Sequence, residues 1–115
     1  MAPESNRISH LLSIFEDILN SGGYSQIISP IFEDIGVFQR LGDSSQIVTK
    51  EMFDLFDKDP KNPQHLVLRP ELTASICRAF AQHRPITPWK VWYQGPQFRY
   101  EKPQAGRYRQ FLQVG

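Results

Sequence analysis

Gln97-Phe98-Arg99-Tyr100-Glu101 and Arg107-Tyr108-Arg109-Gln110-Phe111-Leu112-Gln113 stand on either side of Lys102-Pro103-Gln104-Ala105-Gly106, and together they spell two strands and a loop. The spacing of aromatic and β-branched residues from Trp89 onward predicts a long strand over Lys90 to Glu101, bent at Gly95-Pro96. The return strand is expected from Arg107 to Val114. A period of two puts Gln97, Arg99 and Glu101 on one face and Phe98 with Tyr100 on the other. On the return, Arg109, Phe111 and Gln113 share a face. If the two faces coincide, they present guanidinium, carboxylate, aromatic ring and carboxamide together. Such a set can clamp a phosphate, stack a base and hydrogen-bond an amine. A solvated ladder of cross-strand Arg and Glu pairs fits the same residues, and both readings stand at this point.

Upstream of the hairpin the pattern is helical. Leu72, Ile76, Ala79, Phe80 and His83 fall on one face, and the helix is expected to stop before Pro85. Met52 to Phe56 alternates and His65 to Leu68 returns, with the polar, proline-containing Asp57–Gln64 as the turn of a second hairpin. Ile31 to Lys50 has no clean period; Val37, Phe38 and Leu41 suggest one short helix, and Ile47-Val48 part of another, around Gly42-Asp43. Tyr24 to Ser29 reads as a strand closed by Pro30. At the start, Ile8, Leu11, Leu12, Phe15, Ile18 and Leu19 share a face, predicting a helix over about 5–20 that Gly22-Gly23 ends. The sum is an α+β fold: a mainly antiparallel sheet with flanking helices.

The chain has 115 residues, 40% hydrophobic, 12% aromatic and 22% charged, which suits one core-forming domain and argues against compositional disorder. A single cysteine, Cys77, excludes an intrachain disulfide and a Cys-based metal cluster. No run approaches the roughly eighteen apolar residues of a membrane span, and no secretory leader is recognisable. A reduced, cytoplasmic protein with no membrane partner is the expectation. Net charge is +1, but Arg99, Lys102, Arg107 and Arg109 face only Glu101 within one stretch, so a local +3 sits on a body of −2. That distribution suggests a local anion site and not a broad nucleic-acid surface.

Phosphate-loop, dinucleotide, zinc-protease and serine-hydrolase signatures are absent from the sequence. Asp57-Lys58-Asp59 lacks the glycine and glutamate of a calcium loop. His10, His65 and His83 lie on separate elements, so no metal site is expected. Cys77, inside the second helix, reads as a small core residue. Glu71 and Thr73 stand at that helix's head, where an acid and a threonine read first as caps and only second as ligands.

Leu68-Arg69-Pro70-Glu71-Leu72-Thr73-Ala74, followed by the block from Trp92 to Phe111, strongly resembles histidyl-tRNA synthetases of the bacterial type. The second block is similar to motif 2 of class II synthetases, about 90–113. Gly23-Tyr24 and Ile28-Ser29-Pro30-Ile31-Phe32-Glu33 resemble the strand of motif 1, with Pro30 at its characteristic end and the motif at about 8–33, and Val48-Thr49-Lys50-Glu51-Met52-Phe53 also fits. Two positions depart from the bacterial pattern: Leu72 stands where glycine is usual, and Leu112 where histidine is common.

The resemblance implies a partial class II catalytic domain that activates L-histidine with ATP–Mg²⁺ to histidyl-adenylate and transfers it to tRNA(His). It implies Arg99 as the catalytic arginine at the α-phosphate, Glu101 at the adenine amine, Phe111 stacked on adenine and Arg107 near the terminal phosphates. It implies Glu71, Thr73 and Gln113 as the histidine-binding residues, and a homodimer built through motif 1. Motif 3 and the anticodon-binding domain are expected to lie beyond position 115, so the sequence reads as a fragment that binds nucleotide without charging tRNA. The alternative of the same fold is a non-catalytic regulatory subunit of histidine biosynthesis. A third reading, an RNA-binding module using the basic hairpin, predicts salt-sensitive binding without histidine dependence.

Overall fold

Two glycines end the first helix, and they do so through backbone geometry. In the computed structural model, which describes residues 1–39, 51–102 and 104–115, α1 spans Glu4–Ser21. Gly23 takes φ +78°, the Tyr24 amide donates to Leu19 O (3.0 Å) and the Gly23 amide to Asn20 O (3.1 Å). This double bond over a left-handed glycine is a Schellman cap, open to glycine without steric cost.

The chain then runs through β1 (Ser25–Gln26), β2 (Phe32–Asp34), α2 (Gly36–Gln39), β3 (Asp54–Phe56), β4 (His65–Leu68), α3 (Thr73–His83), β5 (Val91–Trp92), β6 (Gln94–Phe98) and β7 (Gln110–Val114). Strand pairing falls into three groups: β1 with β5 in parallel, β2-β4-β3 antiparallel, and β6 with β7 antiparallel. The α+β, mainly antiparallel character expected from the sequence is therefore present.

The details differ in four places. The strand expected over Tyr24–Ser29 is only Ser25–Gln26, although the Ile27 amide still donates to Trp92 O (2.9 Å). Strand β2 was not expected from the residue pattern, because its alternation is inverted: Glu33 is buried while Phe32 is 54% exposed. Glu33 is tolerated inside because Arg78 Nη2 lies 2.7 Å from its Oε1. The long strand over Lys90–Glu101 breaks at Tyr93, not at Gly95-Pro96, where the chain exchanges β1 for β7 as its partner. The return strand begins at Gln110 and not at Arg107. Val37 and Phe38 do form a short helix; Leu41, Gly42-Asp43 and Ile47-Val48 lie outside the described residues.

The core is small. Phe38, Val67 and Ala74 form its buried cluster, with Ile35, Val37 and Met52 packed around them. Trp92 is buried under the edge of Phe15, ring centroids 6.0 Å apart. Helix α3 buries Leu72 just ahead of it, then Ala74 and Ser75, while Phe80 and His83 are exposed; its inward face is thus turned from the one the sequence suggested. Cys77 is exposed, so the expectation of a core cysteine is wrong. On α1 no residue is fully buried: Leu12, Phe15 and Leu19 are half-covered, and Ile8, Leu11 and Ile18 face outward. His65 Nε2 sits 2.7 Å from Asp54 Oδ1 under the stacked Phe56 ring.

Candidate functional site

In the β6–β7 ladder Gln97 stands opposite Phe111 and Gly95 opposite Gln113. The two faces singled out in the sequence therefore coincide, and this face is the more buried one: Gly95 and Gln97 are buried, while Pro96, Phe98, Gln110 and Leu112 lie on the more open side. Beyond the ladder the Arg99 amide donates to Arg109 O (2.8 Å), which carries the backbone pairing one step further.

The connection between the strands closes as a four-residue turn. Gln104 and Arg107 exchange both backbone bonds, 3.1 and 2.9 Å. Gly106 has φ +78° while Ala105 stays at negative φ, the signature of a type II turn that requires glycine at its third position. This turn sets Arg107 at the mouth of the site.

Arg99, Glu101, Arg107 and Phe111 line one cavity of about 440 Å³, joined by Glu51, Gly106 and Tyr108. The Arg99 guanidinium lies over the Phe111 ring, 5.0 Å from its centroid, and its Nε donates to Pro70 O (3.0 Å). Glu51 is brought in by its backbone, whose carbonyl accepts from the Tyr100 amide (2.6 Å); the Tyr100 ring meets Phe53 edge-on at 5.3 Å. Neither Arg99 nor Arg107 forms an ion pair with a described residue. A cavity with two guanidinium groups, two carboxylates and an accessible ring can hold an anionic, base-bearing ligand.

The remaining three predicted residues gather next door. Gln113 Oε1 accepts from the Leu72 amide (3.1 Å), which seats β7 against the head of α3. There the Glu71 carboxylate accepts from the amides of Thr73 and Ala74 (2.9 Å for the latter), so it caps the helix. The capping role and a ligand role are compatible, since a carboxylate has further acceptor positions. Glu71, Thr73 and Gln113 do not line the 440 Å³ cavity; they adjoin it through Pro70, Arg99 and the two-residue step from Phe111 to Gln113.

Arg109 leaves the predicted face. Strand β7 starts after it, its guanidinium lies 4.6 Å over Tyr100, and its Nε donates to Glu101 O (3.1 Å). Outside the strand, its guanidinium is held by the Tyr100 ring and the Glu101 carbonyl instead.

Three residues that line the cavity went unmarked in the sequence, Glu51, Gly106 and Tyr108, and so did one that fastens the site from behind, Arg69. The last had a signal, a charged residue at the end of the apolar run Leu66-Val67-Leu68. Arg69 is 4% exposed. Burial lowers its pKa below the ordinary arginine value, and the nearby Glu33 carboxylate opposes that effect. Among the described residues no group of three or more His, Cys, Asp or Glu is placed to hold a metal ion. Nor is any described helix long and apolar enough to cross a membrane.

A family model described as histidyl-tRNA synthetase matches residues 1–115. A histidine–tRNA ligase of Acinetobacter baumannii is 52% identical over 110 residues, covering 92% of this chain and 24% of the relative. One from Streptococcus pneumoniae is 40% identical over 121 residues, covering 100% of this chain and 28% of the relative. The solved apo structure of S. aureus histidyl-tRNA synthetase superposes with a TM-score of 0.72 at 28% identity, over 99% of this chain and 25% of that one. A Bacillus halodurans structure described as an ATP phosphoribosyltransferase regulatory subunit/histidyl-tRNA synthetase gives 0.68 at 26% identity, over 92% and 26%. The chain spans about a quarter of the length of these relatives. With its whole length matched, the chain belongs to the histidyl-tRNA synthetase family.

Proposed function

We propose that this chain carries the ATP- and histidine-binding part of a class II histidine–tRNA ligase, with motif 1 at about 8–33 and motif 2 at about 90–113. The observation that supports it most is the meeting of Arg99, Glu101, Arg107 and Phe111 on one cavity beside Glu71, Thr73 and Gln113. In the first reaction a carboxylate oxygen of L-histidine attacks the α-phosphorus of ATP. The bond from phosphorus to the pyrophosphate oxygen breaks, and histidyl-adenylate forms. In the second, a terminal ribose hydroxyl of tRNA(His) attacks the histidyl carbonyl carbon and AMP leaves.

Arg99 is the residue assigned to the charge that grows on the α-phosphoryl oxygens, where fixed donors contribute most. Glu101 accepts from the adenine amine, Phe111 stacks on the base, and Arg107 meets the outer phosphates, to which Mg²⁺ comes as part of the substrate complex. Glu71, Thr73 and Gln113 hold the histidine. The reaction belongs in the cytoplasm, and motif 1 is the surface proposed for a homodimer.

Calorimetric titration tests this reading with ATP–Mg²⁺, L-histidine and a non-hydrolysable histidyl-adenylate mimic, on the chain and on Arg99→Ala. The mimic should bind the unaltered chain and lose roughly 10- to 100-fold in affinity with Arg99→Ala, the scale of a charge-assisted hydrogen bond. Histidine binding without any Arg99-dependent binding of the mimic would favour a regulatory subunit instead.

A further inference from the structure

Arg69 holds together segments far apart in sequence. Its Nε donates to Pro96 O (3.0 Å) on β6. Its Nη1 donates to Ser29 O (2.8 Å), Ser29 Oγ (3.2 Å) and Pro30 O (3.3 Å), at the end of the segment between β1 and β2. The backbone repeats the pattern: the Phe98 amide donates to Arg69 O (3.0 Å) and the Arg69 amide to Ile31 O (2.9 Å). The neighbouring Pro70 carbonyl accepts Arg99 Nε (3.0 Å), and Leu72 is tied to Gln113. The run from Arg69 to Leu72 is therefore fastened to the β6–β7 hairpin at four points.

The chemistry of this contact is specific to arginine. A buried cation costs desolvation, and no described carboxylate pairs with this one directly. What satisfies it is a fan of neutral oxygens, which a planar fork with five donors can reach and a lysine ammonium cannot. The fork also needs a bare backbone beside it. A Cβ on Gly95 would stand 2.5 Å from Arg69 Nη2, so the glycine gives the guanidinium its place against β6.

We propose that Arg69 is a positioning residue that sets the register between the histidine half of the site (Glu71, Thr73, Gln113) and the nucleotide half. This rests on the ligase reading above. Arg69 touches neither ligand; it fixes where Pro70 O, and through it Arg99, stands relative to Glu71. Glu71 and Thr73 are held by the cap of α3, Arg107 by the β6–β7 turn, and Gln113 joins the first pair through its own bond with the Leu72 amide, so each half keeps its own ligand when the Arg69 contact is loosened. The joined ligand, which spans both halves, is the one that suffers.

The test uses two variants. Arg69→Lys keeps the charge and loses the fork; Gly95→Ala keeps every donor and acceptor and displaces Nη2. ATP–Mg²⁺, L-histidine and the histidyl-adenylate mimic are titrated separately into each, with thermal melting as the control. Both variants should bind ATP and histidine within about twofold of the unaltered chain and bind the mimic roughly 10- to 100-fold more weakly, as small misplacements of paired groups do. Undiminished mimic binding, or parallel loss of all three ligands, overturns the proposal. If Arg69→Lys fails to melt cooperatively, Gly95→Ala carries the test, and failure of both assigns Arg69 to folding alone. If the unaltered chain binds no mimic, the ligase reading fails and this proposal with it; if it does and the variants match it, only the positioning role falls.

Discussion

Phe111 already has a cation on its face. The Arg99 guanidinium lies 5.0 Å from the ring centroid, a contact worth about 0.5–1 kcal/mol at an exposed site. A stacked base is worth about 1–3 kcal/mol, so a purine can displace or share that face. Phe111→Ala should weaken ATP–Mg²⁺ roughly 5- to 100-fold by calorimetry while leaving histidine unchanged, and an effect on ATP below twofold would remove the base from this ring. Phe111 and Gln113 were legible because a strand's period is exact over a few positions. Arg109 was not, since outside β7 its guanidinium turns to the Tyr100 ring and the Glu101 carbonyl. Cys77 was misread because helical spacing identifies a stripe without saying which side of it meets the core. Its exposure predicts reaction with an aromatic disulfide reagent in the native state at nearly the rate found in denaturant; strong protection would place it back inside.

Elements differ in how openly their sequences declare them. Helix α1 and its Gly23 cap, helix α3, and the β3–β4 and β6–β7 hairpins follow from period and punctuation. Strand β2 hides because its inward residue is Glu33, and the ion pair with Arg78 that permits this is 45 positions away. The partner of β1 was equally hidden, since a parallel pairing with β5 leaves no turn between the two strands. Where punctuation is visible it can be tested. Gly106 at φ +78° holds the turn that delivers Arg107, and an alanine there costs about 1–2 kcal/mol. Gly106→Ala should lower the melting temperature by several degrees and weaken ATP–Mg²⁺ without affecting histidine. At the other half of the site, Glu71 caps α3 through two amides, and Glu71→Ala should cost about 1 kcal/mol of stability and weaken histidine, with ATP spared. If the two variants do not separate the ligands in this way, the halves are not independent.

As a whole, the molecule is more open than its mass requires. It exposes 8606 Å², against about 6,450 Å² for a compact 13.3 kDa protein. Its radius of gyration is 16.2 Å, where about 13 Å is usual for this length. Apolar side chains are among those exposed: Leu11 and Ile18 are each 66% exposed, Ile28 85% and Ile86 93%. Leu11 and Ile18 lie seven residues apart on α1, so they share its outer stripe. Sequence patterning could identify that stripe as apolar but not what it meets, because covered and uncovered helices carry the same period. A homodimer through motif 1 would cover it. The chain should therefore sediment as a concentration-dependent mixture of monomer and dimer, and Leu11→Lys with Ile18→Lys should shift it to monomer. Because both side chains are already in solvent, the dilute-solution stability should change by less than about 0.5 kcal/mol for each. Charge at these positions acts on association alone, so the two readouts separate an interface from a misfolding effect. An unaltered chain that stays monomeric at 100-micromolar order, where weak dimers still form, would detach the stripe from the proposed dimer.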